Sequence, residues 1–373
     1  MTEKLQTYKV TIRTLSPVFI GGGKAAELSP YTDYIQQGNQ IIIIDQRKFR
    51  DALVDNHLLI DEFVQEIRNR FDNNRSLFSL SAFITDRMKL SISDVEQCRL
   101  PVEGNVGKNQ IRRFIASSGR PFIPGSTIKG AFRTAVLVEW LLKNPEGKKQ
   151  LAKIRAIIEK KDKTEIIGLD PATKCFGAVD RDLFKYLRIS DSAFFDNSAL
   201  SVRKVKRVSI KSDKKRRSDI PMWSEALNSD IETKCVLSLL NPKLLTGFPF
   251  LDQQSYVELL STINSQSFDS CDLELCELDS APGDFDRLKH FYEELQEKIK
   301  NCRRHEAIVR LGGGKIWFDN SIGLAVEQNG FIKNYLTDVL NIKHSPFPST
   351  RSAVLKDGLP ALPLGWVKLS VDG

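Results

Sequence analysis

The chain has 373 residues, of which 41% are hydrophobic and 27% charged, with a formal net charge of +8 and a pI near 9.0. That length suits two compact units, the apolar content excludes a disordered chain, and the basic excess favours a polyanionic partner. No stretch approaches the ~18 apolar residues of a membrane span and the opening residues read as neither signal nor transit peptide, so a cytoplasmic setting with no membrane is expected.

Residues 8–15 alternate, with Tyr8, Val10 and Ile12 on one side and Lys9, Thr11 and Arg13 on the other, which predicts a half-buried strand. The strand runs through Ser16-Pro17-Val18-Phe19-Ile20 into the loop Gly21-Gly22-Gly23-Lys24. Ile41 to Ile44 predicts a short buried strand, joined by a Gly38-Asn39 turn to a strand over 31–35. Asp45 reads as the N-cap of a helix over 46–54, and amphipathic helices are expected over 58–71 and 75–86. The pattern over 91–107 is mixed. Pro124-Gly125 turns the chain, and Ser126 or Thr127 is expected to cap a helix over 126–140 with Ile128, Phe132, Ala135, Val136 and Trp140 inward.

A further helix is expected over 146–161 and a strand over 188–194. Residues 199–210 and 231–240 read as the arms of a long hairpin with a basic tip. Helices over 253–263 and 284–302 follow, the second with Phe285, Leu288, Tyr292, Leu295 and Ile299 inward. A strand over 307–311 enters a second loop, Gly312-Gly313-Gly314-Lys315. A helix over 332–340 and strands over 352–355 and 366–369 complete the pattern. Strands and helices alternate irregularly, as in an α+β chain of duplicated ferredoxin-like (RRM-like) units rather than a doubly wound sheet. The change from helix-rich to hairpin-rich sequence sets a boundary near 195, giving units 1–195 and 196–373.

Three features could hold phosphate. The helix expected after Gly125 and Ser126 offers amides at its N-terminus, and Lys129 and Arg133 share one face at i, i+4, where an anion would relieve their repulsion. The loops Gly21-Gly22-Gly23-Lys24 and Gly312-Gly313-Gly314-Lys315 each follow a strand and cluster backbone N–H groups beside a lysine; neither has Walker A or dinucleotide spacing. The basic tract includes Arg203, Lys204, Lys206, Arg207, Lys211, Lys214, Lys215, Arg216 and Arg217, suited to lining a single RNA strand. The blander readings are an ordinary capped helix, ordinary turns and a solvated loop.

Little supports catalysis. The four histidines and six scattered cysteines form no metal-ligand spacing, and the cysteines read as reduced thiols. Asp33, Asp45 and Asp180 are isolated carboxylates of the kind that cap helices or form ion pairs. No catalytic residue, metal or cofactor is expected.

Several segments resemble the CRISPR-associated RAMP proteins. Leu15-Ser16-Pro17-Val18-Phe19-Ile20-Gly21-Gly22-Gly23 with Leu28-Ser29-Pro30-Tyr31 resembles their opening. Phe122 to Arg133 resembles their IPGSSLKGALR segment, and Arg310-Leu311-Gly312-Gly313-Gly314 with Ile322-Gly323 their C-terminal glycine-rich loop. The ending Leu362-Pro363-Leu364-Gly365-Trp366-Val367-Lys368-Leu369 is similar to the tail of the fifth subunit of type III-A Csm complexes. Phe19 stands where relatives often carry His, and Gly313 where they carry a bulky residue.

The resemblance implies two RRM-like ferredoxin units with helical insertions and a long basic hairpin. It implies a non-catalytic subunit that binds crRNA, caps the 3′ region of the guide and supports its maturation. The implied partners are other Csm subunits, chiefly the backbone RAMP subunit and the small subunit, with host nucleases doing the trimming. Gly125, Lys129, Arg133 and the 312–315 loop fall on the family's RNA-contacting motifs. The alternatives are a metal-dependent endoribonuclease, a type III-B RAMP subunit, and a protein-bridging module.

Overall fold

The structure, a computed structural model, describes residues 5–23, 26–54, 57–72, 78–160, 170–211, 222–240, 255–327 and 348–372. Lys24, the tract 214–217 and the helix expected over 332–340 lie outside the described residues.

In chain order, β1 (Leu5–Thr14) leads to β2 (Glu27–Leu28), the hairpin of β3 (Tyr34–Gln37) and β4 (Gln40–Ile44), and the helices α1 (Gln46–Val54) and α2 (His57–Asp72). The helix expected over 75–86 shrinks to α3 (Leu80–Ala82) and a wider helical turn over Phe83–Arg87. Next come β5 (Glu96–Pro101), β6 (Ile111–Arg112), β7 (Ala116–Ser117) and β8 (Arg120–Pro121), then α4 (Gly125–Lys143), α5 (Pro145–Lys160), α6 (Pro171–Phe176) and β9 (Leu187–Ile189). β10 (Leu200–Ser209), β11 (Met222–Leu227) and β12 (Glu232–Leu240) precede α7 (Ser255–Asp279) and α8 (Asp286–Lys300). The described chain ends with β13 (Glu306–Arg310), α9 (Gly323–Glu327), β14 (Thr350–Lys356), β15 (Leu359–Pro363) and β16 (Trp366–Val371).

The architecture is α+β, built on two large sheets. One has the order β13-β16-β1-β12-β9 and the other β15-β14-β10-β11-β6-β2; smaller sheets are β3-β4-β5 and β7-β8. Strands from both sides of residue 195 share each large sheet: β1 and β9 join β12, β13 and β16, while β2 and β6 join β10, β11, β14 and β15. β1 lies at the centre of the first, antiparallel to β12 and β16. Its inward residues Val10 and Ile12 are buried in one core with Ile128 and Phe132 of α4 and Leu260 and Ile263 of α7. The second large sheet adds Leu28, Ile111, Leu200, Val202, Trp223 and Leu227 to the same core.

Local signals explain the elements that were foreseen. Asp45 caps α1, its Oδ1 accepting from the N–H groups of Arg47 and Lys48 at 2.9 and 3.2 Å. The expected hairpin partner of β10 is corrected. β10 pairs with β11, Arg203 opposite Ser224, whereas β12 pairs with β1, Val10 opposite Cys235. β12 buries Thr233, Cys235, Leu237 and Leu239 in alternation, matching the inward face of β1. β11 is buried from Trp223 to Leu227, so no period-two pattern marks it. α7 runs far beyond the expected 253–263 because its polar residues find partners: Ser267 donates to the Ile308 carbonyl at 2.7 Å and Ser270 to Asp319 at 2.6 Å.

Candidate nucleic-acid interface

The segment 15–23, between β1 and the first glycine loop, is a seam joining the two large sheets. The Leu15 N–H donates to the Trp366 carbonyl at 2.8 Å, and the buried Ser16 hydroxyl accepts from the Trp366 N–H at 3.0 Å. Gly365 N–H donates to the Pro17 carbonyl at 2.9 Å. Val18 exchanges backbone bonds with Leu227 of β11 at 3.0 and 2.9 Å, and Ile115 N–H donates to the Ile20 carbonyl at 2.7 Å. The Gly22 N–H reaches the Arg113 carbonyl at 3.2 Å. These bonds satisfy backbone groups of the irregular stretch where it meets the two sheets, as burial requires.

The two glycine loops meet at Phe19. β1 and β13 are both antiparallel to β16, so they run the same way and release their loops at the same end of the sheet. Gly313 N–H donates to the Phe19 carbonyl at 2.8 Å. Gly312 has φ +73°, and a Cβ there would lie 2.1 Å from the same oxygen, so only glycine fits. Gly21, Gly22, Gly23 and Gly313 are exposed.

Two arginines that drew no attention in the sequence flank this junction. The Arg112 guanidinium lies 4.5 Å from the centre of the Phe19 ring and donates to Ser224 Oγ from Nε and Nη2 at 3.0 and 2.8 Å. Burial pulls its pKa down; its cross-strand neighbour Glu27 opposes the shift, and Arg207 adds to it by repulsion. Arg113 follows, its Nε 3.6 Å from the Glu225 carboxylate, whose other oxygen accepts from the Phe114 N–H at 2.9 Å. Burial raises the Glu225 pKa, opposed by Arg113 and by the Phe114 N–H. Arg207 is exposed on β10 and Lys211 is partly exposed just beyond it. The Gly22 and Gly313 N–H groups are used within the chain, so it is the exposed Gly21 and Gly23 with Arg112, Arg113 and Arg207 that share one neighbourhood able to hold phosphates. The signal for the arginines was weak: β6 has two residues, and no alternation surrounds them.

The helix-start candidates lie elsewhere. α4 begins at Gly125, with Pro124 rather than Ser126 or Thr127 at the N-cap. Its first amide is taken by Asp191 Oδ1 at 2.8 Å. Gly125 is a packing residue, since a Cβ would lie 2.1 Å from the Ile189 carbonyl, which corrects the expectation that it lets RNA approach. This places the helix start against β9, at the edge of the five-stranded sheet opposite β13. The anion expected between Lys129 and Arg133 is the protein's own. Asp182 lies 2.9 Å from Arg133 Nη1, and Arg133 also stacks 3.9 Å from the Phe176 ring centre. Burial lowers the Lys129 pKa, Asp182 opposing. Ser126 is exposed but joins no basic cluster with the glycine loops.

Near the second loop, the structure corrects two expectations, those for Arg310 and Gly314. Arg310 is 3% exposed, paired with Asp319 at 3.0 Å and donating to the Leu364 carbonyl at 3.0 Å, so it braces the fold. Gly314 is buried against Leu364. Lys315 is partly exposed, and burial of its side chain lowers its pKa. Lys24, Arg216 and Arg217 lie outside the described residues. Among the described residues no three His, Cys, Asp or Glu side chains gather as metal ligands, and no helix is long and apolar enough to cross a membrane.

The chain is 24% identical over 394 aligned residues to the CRISPR system Cms protein Csm5 of Methanocaldococcus jannaschii, covering 98% of this chain and 89% of that one. It is 26% identical to Csm5 of Streptococcus thermophilus over 245 residues, 61% of this chain and 62% of that one. Its fold is similar to a chain in the cryo-EM structure of a type III-A Csm–crRNA–target RNA ternary complex, with TM-score 0.68, 22% identity and coverage of 98% and 100%. It is also similar to the crystal structure of T. onnurineus Csm5, with TM-score 0.64, 22% identity and coverage of 96% and 99%. The RAMP superfamily model matches residues 11–318, from the middle of β1 past the second glycine loop, and the chain belongs to the RAMP superfamily.

Proposed function

We propose that this chain is a non-catalytic RNA-binding subunit of a type III-A CRISPR Csm effector complex, holding the guide near its 3′ end. Its relatives named Csm5 and its likeness to a chain of a Csm–crRNA–target RNA complex support the assembly. The observation that carries the RNA reading is the meeting of the two glycine loops at Phe19, beside Arg112, Arg113 and Arg207. A guide must keep its bases free to pair, so contacts to phosphate and shape suit the task better than base-specific readout. The proposed neighbours are the backbone RAMP subunit and the small subunit, with separate nucleases trimming the guide up to the protected end.

The test is to purify the assembled complex through a tag on this chain and sequence the bound RNA. Arg112→Gln with Arg207→Gln is expected to give shorter guides or fewer of them, because the 3′ end loses its shield. Guides of unchanged length and amount contradict the proposal. Chelator-sensitive cleavage of guide RNA by the purified chain would contradict the non-catalytic part.

A further inference from the structure

Trp317 follows the second glycine loop by three residues, which span at most ~11 Å. It is 42% exposed, unlike the buried Trp223 and Trp366. A partly exposed indole is a flat apolar surface of the kind on which a nucleobase stacks. Here the ring is also held still. Trp317 opens a tight turn over Trp317–Asn320. Asp319 in that turn accepts from Arg310 Nη1 at 3.0 Å, from the Ile316 N–H at 2.9 Å and from Ser270 Oγ at 2.6 Å. The neighbouring Phe318 is buried with Val138 and Leu141 of α4, its ring centre 5.2 Å from that of Trp317 and nearly perpendicular. Gly323 packs against both rings, where a Cβ would lie 2.3 Å from Trp317 Cζ3 and 2.8 Å from Phe318 Cδ1. The indole thus rests on bare backbone, a position that any other residue at 323 would disturb.

We propose that Trp317 is a base-stacking residue: an unpaired nucleobase of single-stranded RNA lies against its exposed indole as the backbone passes the second glycine loop. The inference rests on the RNA reading above and adds the one contact that reading lacks, a flat apolar surface for a base. Stacking is sequence-tolerant, which suits a guide of variable sequence. A protein partner fits less well. Among the described residues of 310–323, no other large apolar side chain is exposed, whereas a protein hot spot sits within a wider apolar patch.

The experiment compares binding of fluorescein-labelled oligouridine with that of the same ribose-phosphate chain lacking bases, to the full-length protein. Wild type is expected to prefer the base-bearing strand about tenfold, within the range of one stacked base. Trp317→Ala should bind both strands alike with an unchanged salt dependence, and Trp317→Phe should restore part of the preference. Equal, salt-dependent binding of both strands by wild type overturns the stacking and leaves the phosphate grip standing. That comparison needs no variant, so misfolding of Trp317→Ala cannot mask it. Retention of the preference by a folded Trp317→Ala also overturns it. If wild type binds neither strand, the RNA reading falls and this inference falls with it.

Discussion

At the scale of single residues, motif membership and surface function separate. Arg310 lies in the Arg-Leu-Gly-Gly-Gly segment and reads as a phosphate contact, yet it is buried and paired with Asp319. Its work is to fix the turn that carries Trp317, and to do so beneath Trp366, whose ring centre is 5.6 Å away. Removing one member of a buried ion pair strands the other, which costs about 3–5 kcal/mol. Arg310→Ala is therefore expected to lower the urea midpoint strongly, and the remaining folded fraction should bind RNA with unchanged salt dependence. Unchanged stability with weakened RNA binding would return Arg310 to the interface. Sequence cannot make this distinction, because a guanidinium for phosphate and one for a buried carboxylate are written with the same letter.

At the scale of elements, the strands and helices that bury one regular face were legible. The four isoleucines of β4 and the Gly38-Asn39 turn announced the first hairpin, and Leu288, Tyr292, Leu295 and Ile299, the four inward residues of α8, announced that helix, with buried Phe285 at its N-cap. Elements with mixed or edge character were not. β15 contains Pro360 and Pro363 and lies at a sheet edge, where a missing N–H is tolerated. β6 and β11, which bring Arg112 and Glu225 to the first glycine loop, are too short or too evenly buried to show a period. Their junction makes a pH prediction. Burial lifts the Glu225 pKa in the folded state, so the folded chain holds that proton more tightly than the unfolded one. The associated stability is complete below the unfolded carboxylate pKa of about 4.3 and is lost as pH rises through the raised folded value. Glu225→Gln cannot ionise and keeps an acceptor for the Phe114 N–H. As pH rises above the unfolded carboxylate value, the wild type should lose stability relative to this variant. Parallel pH profiles would show that Arg113 fully compensates the buried charge.

At the scale of the whole molecule, the seam at 15–23 explains why sequence segments far apart belong together. The opening motif, the second glycine loop and the closing Leu-Gly-Trp segment all bond to this stretch, so three of the four resembling segments form one place. The fourth, at the start of α4, sits across the sheet, where Asp182 pairs with Arg133 and Asp191 accepts from the Gly125 N–H. Among the described residues the candidate site is accordingly smaller than the sequence suggests, and it gathers arginines that no motif singled out. The direct measurement is the affinity of the purified chain for single-stranded oligouridine across a range of salt concentrations, for wild type and for Arg112→Gln with Arg207→Gln. Two lost phosphate contacts should reduce the magnitude of the slope of log K against log salt by ~1.4, at ~0.7 for each contact on a single strand. An identical slope and affinity in the variant would contradict the account.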